Sequence, residues 1–238
     1  MRSSWSKGYT KETHPSVQKI SETMKSRKID NFAEWRKRAI RDGRIRVRFP
    51  RLPRNGDLAE LIGVVLGDGH IEKFPRTERL LIFSNSNNKG FAERYAGLVE
   101  KLFKKKPYVY KQSTQNCIRI SLYEKKISER LGIPTGSRKN ILITVPDWVM
   151  KRKTYIIRYL RGLYEAEGSY SVHKLTYTYK FVFSNTNQSL LKNVVKLLKM
   201  LGLSPHHDSL RVQISRKNEV LRAVELLKFR RYWFCGMV

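Results

Sequence analysis

Acidic residues are scarce in this sequence: 20 Asp and Glu stand against 49 Lys and Arg in 238 residues, a formal net charge of +29. A chain so charged repels itself unless a polyanion compensates, and the counterions released at each phosphate contact make nucleic acid the natural partner. Ribosomal and membrane-surface proteins share the bias, so charge names a partner class and no reaction. Cysteine is nearly absent; Cys117 and Cys235 lie far apart and form neither a CxxC pair nor a disulfide framework. The five histidines (His14, His70, His173, His206, His207) have no zinc-ligand spacing with them, and His206-His207 reads as a polar loop after a helix. No run of about 18 apolar residues occurs, so no membrane span is expected. The opening MRSSWSKGYTKE has no apolar core for a signal peptide, and the expected location is the cytoplasm, in association with the nucleoid. What is present is a globular composition, 40% apolar and 29% charged, at a length that suits one or two domains with a buried core.

Residues 1–57 are the most basic part, with sixteen Lys and Arg against six Asp and Glu. Helix-like spacing occurs at Val17-Ile20-Met24 and at Ile29-Phe32-Trp35-Ile40. Residues 44–53 alternate charge and bulk and then break at proline, which reads as an extended basic linker with room for one short strand.

From Leu58 the chain repeats itself. LAELIGVVLGDGHIE (58–72) opens one copy and YIIRYLRGLYEAEGSYS (155–171) the other; IFSNSN (82–87) matches VFSNTN (182–187). An amphipathic helix follows each, over 92–103 and 190–201, and then a short strand running into a helix, over 117–131 and 210–224. Each copy therefore reads helix, two strands or a hairpin, helix, strand, helix. Residues 132–153, holding Pro134, Gly136 and Pro146, read as an ordered connector. Two similar halves in one chain imply a pseudo-dimer with a shared seam. Gly63 and Gly67 lie one turn apart on one helix face, and Gly162 and Ala166 hold the same places in copy two; small residues at this spacing let helix backbones approach closely.

Aligning Gly63 with Gly162 aligns Asp68 with Glu167 and Gly69 with Gly168. The two glycines sit where a helix would end in a left-handed cap, which puts each acid at a helix C-terminus. That is the negative end of the helix dipole, and side-by-side packing would set the acids against each other. Such an arrangement calls for cations. Divalent ions held by carboxylates, carbonyls and phosphate oxygens are the simplest answer. With a basic surface, they describe metal-assisted phosphodiester hydrolysis.

LIGVVLGDG (61–69) and LRGLYEAEG (160–168) resemble the paired signature motifs of the LAGLIDADG homing endonucleases, and the connector LGIPTGSRKNILITVPDWV (131–149) resembles that of the family's archaeal and bacterial members. The resemblance covers residues 58–229. It implies an α+β fold of two pseudo-symmetric αββαββα repeats (58–133 and 154–230, joined by 134–153), with saddle-shaped antiparallel sheets astride the DNA major groove. A basic N-terminal extension (1–57) and a short tail (231–238) flank them. It implies catalysis and metal binding by Asp68 and Glu167, helped by the carbonyls of Gly67 and Ala166, with Mg2+ or another divalent cation. The product would be a double-strand cut at a long, weakly symmetric DNA target, made by a monomeric, intron-encoded protein.

Family sites often add a Lys and a Gln or Asn from the strands. The matching positions here are Asn85 and Asn185, each in FSN and each equally suited to capping the following helix, and Lys73 and Lys174, shortly after the motifs. DNA contacts are expected from Arg76, Arg79, Arg119, Tyr177, Tyr179, Lys180, Arg211 and Gln213, of which strand alternation puts about half on one face. The N-terminal segment loosely resembles the small DNA-binding modules attached to some intron-encoded nucleases, or is a basic tail ordered on DNA. The rival readings are a non-cleaving binder on the same fold (an RNA maturase for a group I intron, or a transcription regulator), a nuclease of another fold using Glu124, Lys126 and Asp68, and a basic structural RNA binder.

Overall fold

The computed structural model describes residues 5–111 and 115–232; Cys235 and residues 233–238 of the tail lie outside them. The chain divides into two compact units, after Phe49. The first contains α1 (Pro15–Ser26) and α2 (Ala33–Arg41). Helix α1 begins where two N-terminal devices coincide: Pro15 fixes the first helical φ, and the His14 ring accepts the Ser16 N–H. Only Ala39 is buried among the described residues of this unit. Residues 44–53 form no strand, in contrast to the short strand their alternation allows, because no partner strand pairs with them.

The second unit opens with α3 (Gly56–Asp68), whose start Asn55 caps by accepting the Leu58 N–H at 3.0 Å. It continues through β1 (Gly69–Lys73), β2 (Glu78–Asn85), α4 (Lys89–Phe103), β3 (Tyr108–Lys111), β4 (Cys117–Glu124) and α5 (Ile127–Leu131). A connector with one short helix, α6 (Asp147–Met150), leads to α7 (Lys153–Glu167), β5 (Gly168–His173), β6 (Thr178–Ser184), α8 (Gln188–Met200), β7 (His206–His207), β8 (Arg211–Ile214) and α9 (Lys217–Leu227). The strands form two antiparallel four-stranded sheets, ordered β1-β2-β4-β3 and β5-β6-β8-β7. Each half is thus αββαββα. The single strand read after the second helix of each copy is in fact two. The extra ones, β3 and β7, are short edge strands with no buried residue. His206 and His207 are strand residues paired with Gln213 and Val212, and not a loop.

Alternation along the strands builds the core. Ile71, Leu80, Ile82, Ile120 and Leu122 turn to the helices of the first half, and Phe181, Phe183, Val212 and Ile214 to those of the second. Each such side chain stabilises the fold by about 1.5–3 kcal/mol when fully buried. Helix α3 is buried from Leu58 through Leu66, packed against α7, α4 and β2. Among the described residues no helix is long and apolar enough to cross a membrane.

Candidate functional site

Helices α3 and α7 meet through their small residues. A Cβ on Gly63 would stand 3.0 Å from the Leu163 nitrogen and closer still to the Tyr159 carbonyl oxygen. On Gly162 it would stand 2.6 Å from the Val64 nitrogen and closer still to the Glu60 carbonyl oxygen. One turn on, a Cβ on Gly67 would collide with that of Ala166. The contacts are reciprocal: each helix offers its glycine to the same two backbone positions of the other.

At the ends of these helices stand Asp68 and Glu167. The glycines that follow are not left-handed caps: Gly69 (φ −93°, ψ 161°) and Gly168 (φ −89°, ψ 151°) are extended and begin strands. Glycine is needed for close approach instead. A Cβ on Gly69 would lie 2.5 Å from Val65 Cα, and one on Gly168 would strike the Tyr164 carbonyl, because each strand starts back across the last helical turn. Burial, and then the neighbouring Glu167 charge, push the Asp68 carboxyl up to about 7 from the ordinary 3.8. Burial likewise raises Glu167. Among the described residues neither acid has a Lys, Arg or His ion-pair partner; Glu167 receives one long contact, from Asn185 Nδ2 at 3.5 Å. Two half-buried carboxylates that repel each other, in want of a cation, fit a hard divalent ion. No third His, Cys, Asp or Glu joins them among the described residues. Further donors there would be the Gly67 and Ala166 carbonyls, water and substrate oxygens.

Of the other positions singled out in the sequence, Asn185 stands beside Glu167, while the two lysines lie away from the acids. Asn85 and Asn185 each fold their Oδ1 onto the N–H two residues on, at 2.9 Å. Neither caps a helix: the cap of α8 is Asn187, which accepts the Leu190 N–H at 3.0 Å, and Asn88, at the start of α4, makes no side-chain capping bond but donates to the Tyr232 hydroxyl at 3.2 Å. Lys73 ends β1, and Lys174 follows the end of β5. Each is therefore a full strand length from its acid, roughly 17–23 Å at about 3.3 Å per residue. Glu124 pairs in register with Glu78, at the end of the sheet remote from Asp68, so the alternative triad of Glu124, Lys126 and Asp68 does not assemble.

Strand register sorts the expected nucleic-acid contacts. Arg79 and Arg119 in the first sheet, and Lys180, Arg211 and Gln213 in the second, lie on the faces turned away from the helices. Arg76 and Tyr177 lie in hairpin turns. Tyr179 is a correction: it packs toward the core, with the Lys217 ammonium 5.4 Å over its ring. Arg79 is already engaged, donating to Glu72 at 2.7 Å and to the Tyr123 hydroxyl at 2.9 Å. The first face is aromatic, with Tyr108, Tyr110 and Tyr123 exposed and Arg119 5.6 Å over the Tyr110 ring. The second is polar, with Ser169, Ser171, His173, Lys180 and Gln213. Sequence reasoning missed the tyrosines because β3 went unread, although the alternation of Tyr108 and Tyr110 is a signal.

It also missed Glu60. This fully buried carboxylate is held by Arg94 through two hydrogen bonds (2.5 and 2.9 Å), by Arg158, and at 3.6 Å by Arg161, so α3, α4 and α7 share one buried charge.

Residues 154–232 match the family described as LAGLIDADG-like domain. Among solved structures, I-DmoI in complex with DNA and Mn is 22% identical with a TM-score of 0.51, over 74% of this chain and 97% of that one. The N-terminal LAGLIDADG domain of DUF199/WhiA is 16% identical with a TM-score of 0.50, over 78% of this chain and 89% of that one. At these identities the likeness shows the fold. Two curated relatives match in sequence: the replication factor C small subunit of Methanocaldococcus jannaschii (26% identical over 69% of this chain) and the tRNA-splicing ligase RtcB of Methanopyrus kandleri (24% over 63%). The matches span 8% and 18% of those proteins' lengths.

Proposed function

We propose that this chain, which has the LAGLIDADG fold and carries a LAGLIDADG-like domain at residues 154–232, is a site-specific, divalent-metal-dependent DNA endonuclease. On this reading it is a pseudo-dimer that works as a monomer, the product of an intron-borne reading frame, and it cuts both strands of a long, weakly symmetric target. The observation that carries the reading is the pair Asp68 and Glu167, set side by side by the glycine contacts of α3 and α7 and left without a cationic partner among the described residues. A bound divalent ion, Mg2+ in the cell, would supply Lewis acidity and a water of lowered pKa. The chain's own part is to hold the two carboxylates at fixed helix ends and to fix the duplex across them. Arg119, Lys180 and Arg211 would take phosphates, and Gln213 would read base edges. The two matched relatives carry different activities in their names, so what they share with this chain is a module independent of either activity.

The test is cleavage of a randomised duplex library with Mg2+ or Mn2+, which also yields the target. Asp68→Asn and Glu167→Gln should abolish double-strand cutting and leave binding measurable; undiminished cutting by the double variant would remove the metal-site assignment. One observation favours a second reading, a non-cleaving nucleic-acid binder acting as RNA maturase or transcription regulator: the exposed Tyr108, Tyr110 and Tyr123 suit stacking on unpaired bases. Assistance of intron splicing, or DNA binding, without any nicking would select it.

A further inference from the structure

The two motif helices end differently. In α7 the Tyr164 carbonyl accepts the Gly168 backbone N–H. The equivalent carbonyl of α3, that of Val65, accepts instead from the side chain of Arg138 at 2.9 Å, and the same Nη2 donates to the Gly69 carbonyl at 2.6 Å. One guanidinium thus ties together the turn before Asp68 and the residue after it. Its Nη1 is buried without a hydrogen-bond partner, and burial lowers its pKa, so Arg138 belongs to the interior of this helix end and not to the solvent face.

The segment that delivers Arg138 is held by both halves. Gly136, at φ +79°, donates its N–H to the Ile71 carbonyl at 3.0 Å and lays the connector along the free edge of β1. On the other side Asn187, 5% exposed, donates to the carbonyls of Arg138 (2.8 Å) and Ile141 (2.9 Å) while its Oδ1 caps α8. A chain of two repeats has only one connector between them. Whatever that connector does at α3 cannot be repeated at α7.

We propose that Arg138 is a positioning residue that makes the two strand cuts inequivalent, by clamping the carbonyls on either side of Asp68 while the helix end bearing Glu167 is closed by its own backbone. The proposal rests on the endonuclease reading. A helix C-terminus carries unsatisfied carbonyls and a partial negative charge, and a guanidinium there offsets both. Without it the last turn of α3 loses its external donors, and Asp68 loses its fixed direction. Glu167 keeps its own.

The experiment uses the full chain, Mg2+, and two forms of the target, each already nicked in one strand, so that each remaining cut is timed alone. Arg138→Met keeps the side-chain bulk and removes the donors. It should slow one strand by about tenfold or more and the other by less than about twofold, the scale expected of a small misplacement of a reacting group. DNA affinity should be unchanged, and nicked circles should accumulate from supercoiled plasmid. Arg138→Lys, whose ammonium still donates to carbonyls, should recover part of the lost rate on that same strand. Equal slowing of both strands, no slowing of either, or a lysine variant no faster than the methionine one overturns the proposal. If Arg138→Met fails to fold, the strand ratio of Arg138→Lys against the parent decides: a skewed ratio supports the clamp and an unchanged one overturns it. A parent protein that leaves both strands intact with Mg2+ and with Mn2+ overturns the endonuclease reading, and the proposal falls with it.

Discussion

Gly63 and Gly162 face each other so closely that a methyl group on either would enter the other helix's backbone: Gly63 would meet Tyr159 and Leu163, and Gly162 would meet Glu60 and Val64. The two sets of contacts are mates under one shift of 99 residues, so the seam has a local two-fold relation. Asp68 and Glu167 lie one turn beyond, and the angle and spacing of the seam set where they stand.

Leucine at either glycine is therefore expected to be severe. Overpacking of a tight interior costs about 1–3 kcal/mol and occasionally more, and here the obstacle is backbone, which cannot change rotamer. Gly63→Leu and Gly162→Leu should lower the melting temperature far more than Leu at an exposed helix position such as Lys101. Cleavage should fall further than stability does, because parting the helices by about 1 Å can slow a reaction on the order of 100-fold. Melting curves and single-turnover rates check this, and parental behaviour of Gly63→Leu contradicts the seam.

The raised carboxyl of Asp68 gives a stability prediction with a definite sign. The folded state holds that proton up to about pH 7, against an ordinary 3.8, so folding is increasingly opposed as pH rises from about 4 to 7, and the penalty is constant above that range. Glu167 adds to it in the same direction. In chelator at pH 8, Asp68→Asn should melt above the parent, and the difference should vanish near pH 4. Mg2+ should raise the parent's melting temperature at pH 8 by mass action and do less for the variant.

Glu60→Gln removes the one buried anion that Arg94, Arg158 and Arg161 share. Breaking a buried pair from one side leaves an uncompensated charge and costs about 3–5 kcal/mol. Denaturant titration should show a loss on that scale. A change under about 1 kcal/mol would mean that water already screens the cluster.

Deleting residues 1–49 removes fourteen Lys and Arg against five Asp and Glu. Binding to DNA should weaken, and the slope of log K against log salt should become shallower by about 0.9 for each phosphate that is no longer neutralised, with the metal-dependent cut retained. An unchanged slope would place this unit away from the duplex.

The helix seam and the two acids are legible because they are local patterns written twice. Gly63 and Gly67 are neighbours by helical period alone, and the repeat supplies their mates. Gly69 and Gly168 show the limit of such reading: a left-handed cap and a close approach both require glycine, and only the backbone angles tell them apart. Lys73 and Lys174 are near the acids in sequence, but an extended strand carries them away. Tyr179 and Lys180 are adjacent, yet alternation sends them to opposite faces, and which face is which is set by the sheet's packing against the helices. Arg138 and Glu60 are invisible in sequence, because their partners lie 34 to 101 residues away in the case of Glu60 and its neighbour Asp57, and 69 to 73 in that of Arg138. Nothing in either neighbourhood marks one arginine or glutamate among so many charges.

The distance along the chain between the two seam helices matters before the protein is finished. On a ribosome adding roughly 5–20 residues per second, α7 follows α3 by about 5–20 s. During that interval α3, apolar on nearly every side, has the first sheet on one flank and nothing on the other. Closing so long a loop is entropically slow, and the nascent first half spends those seconds with its glycine-lined stripe uncovered until α7 arrives.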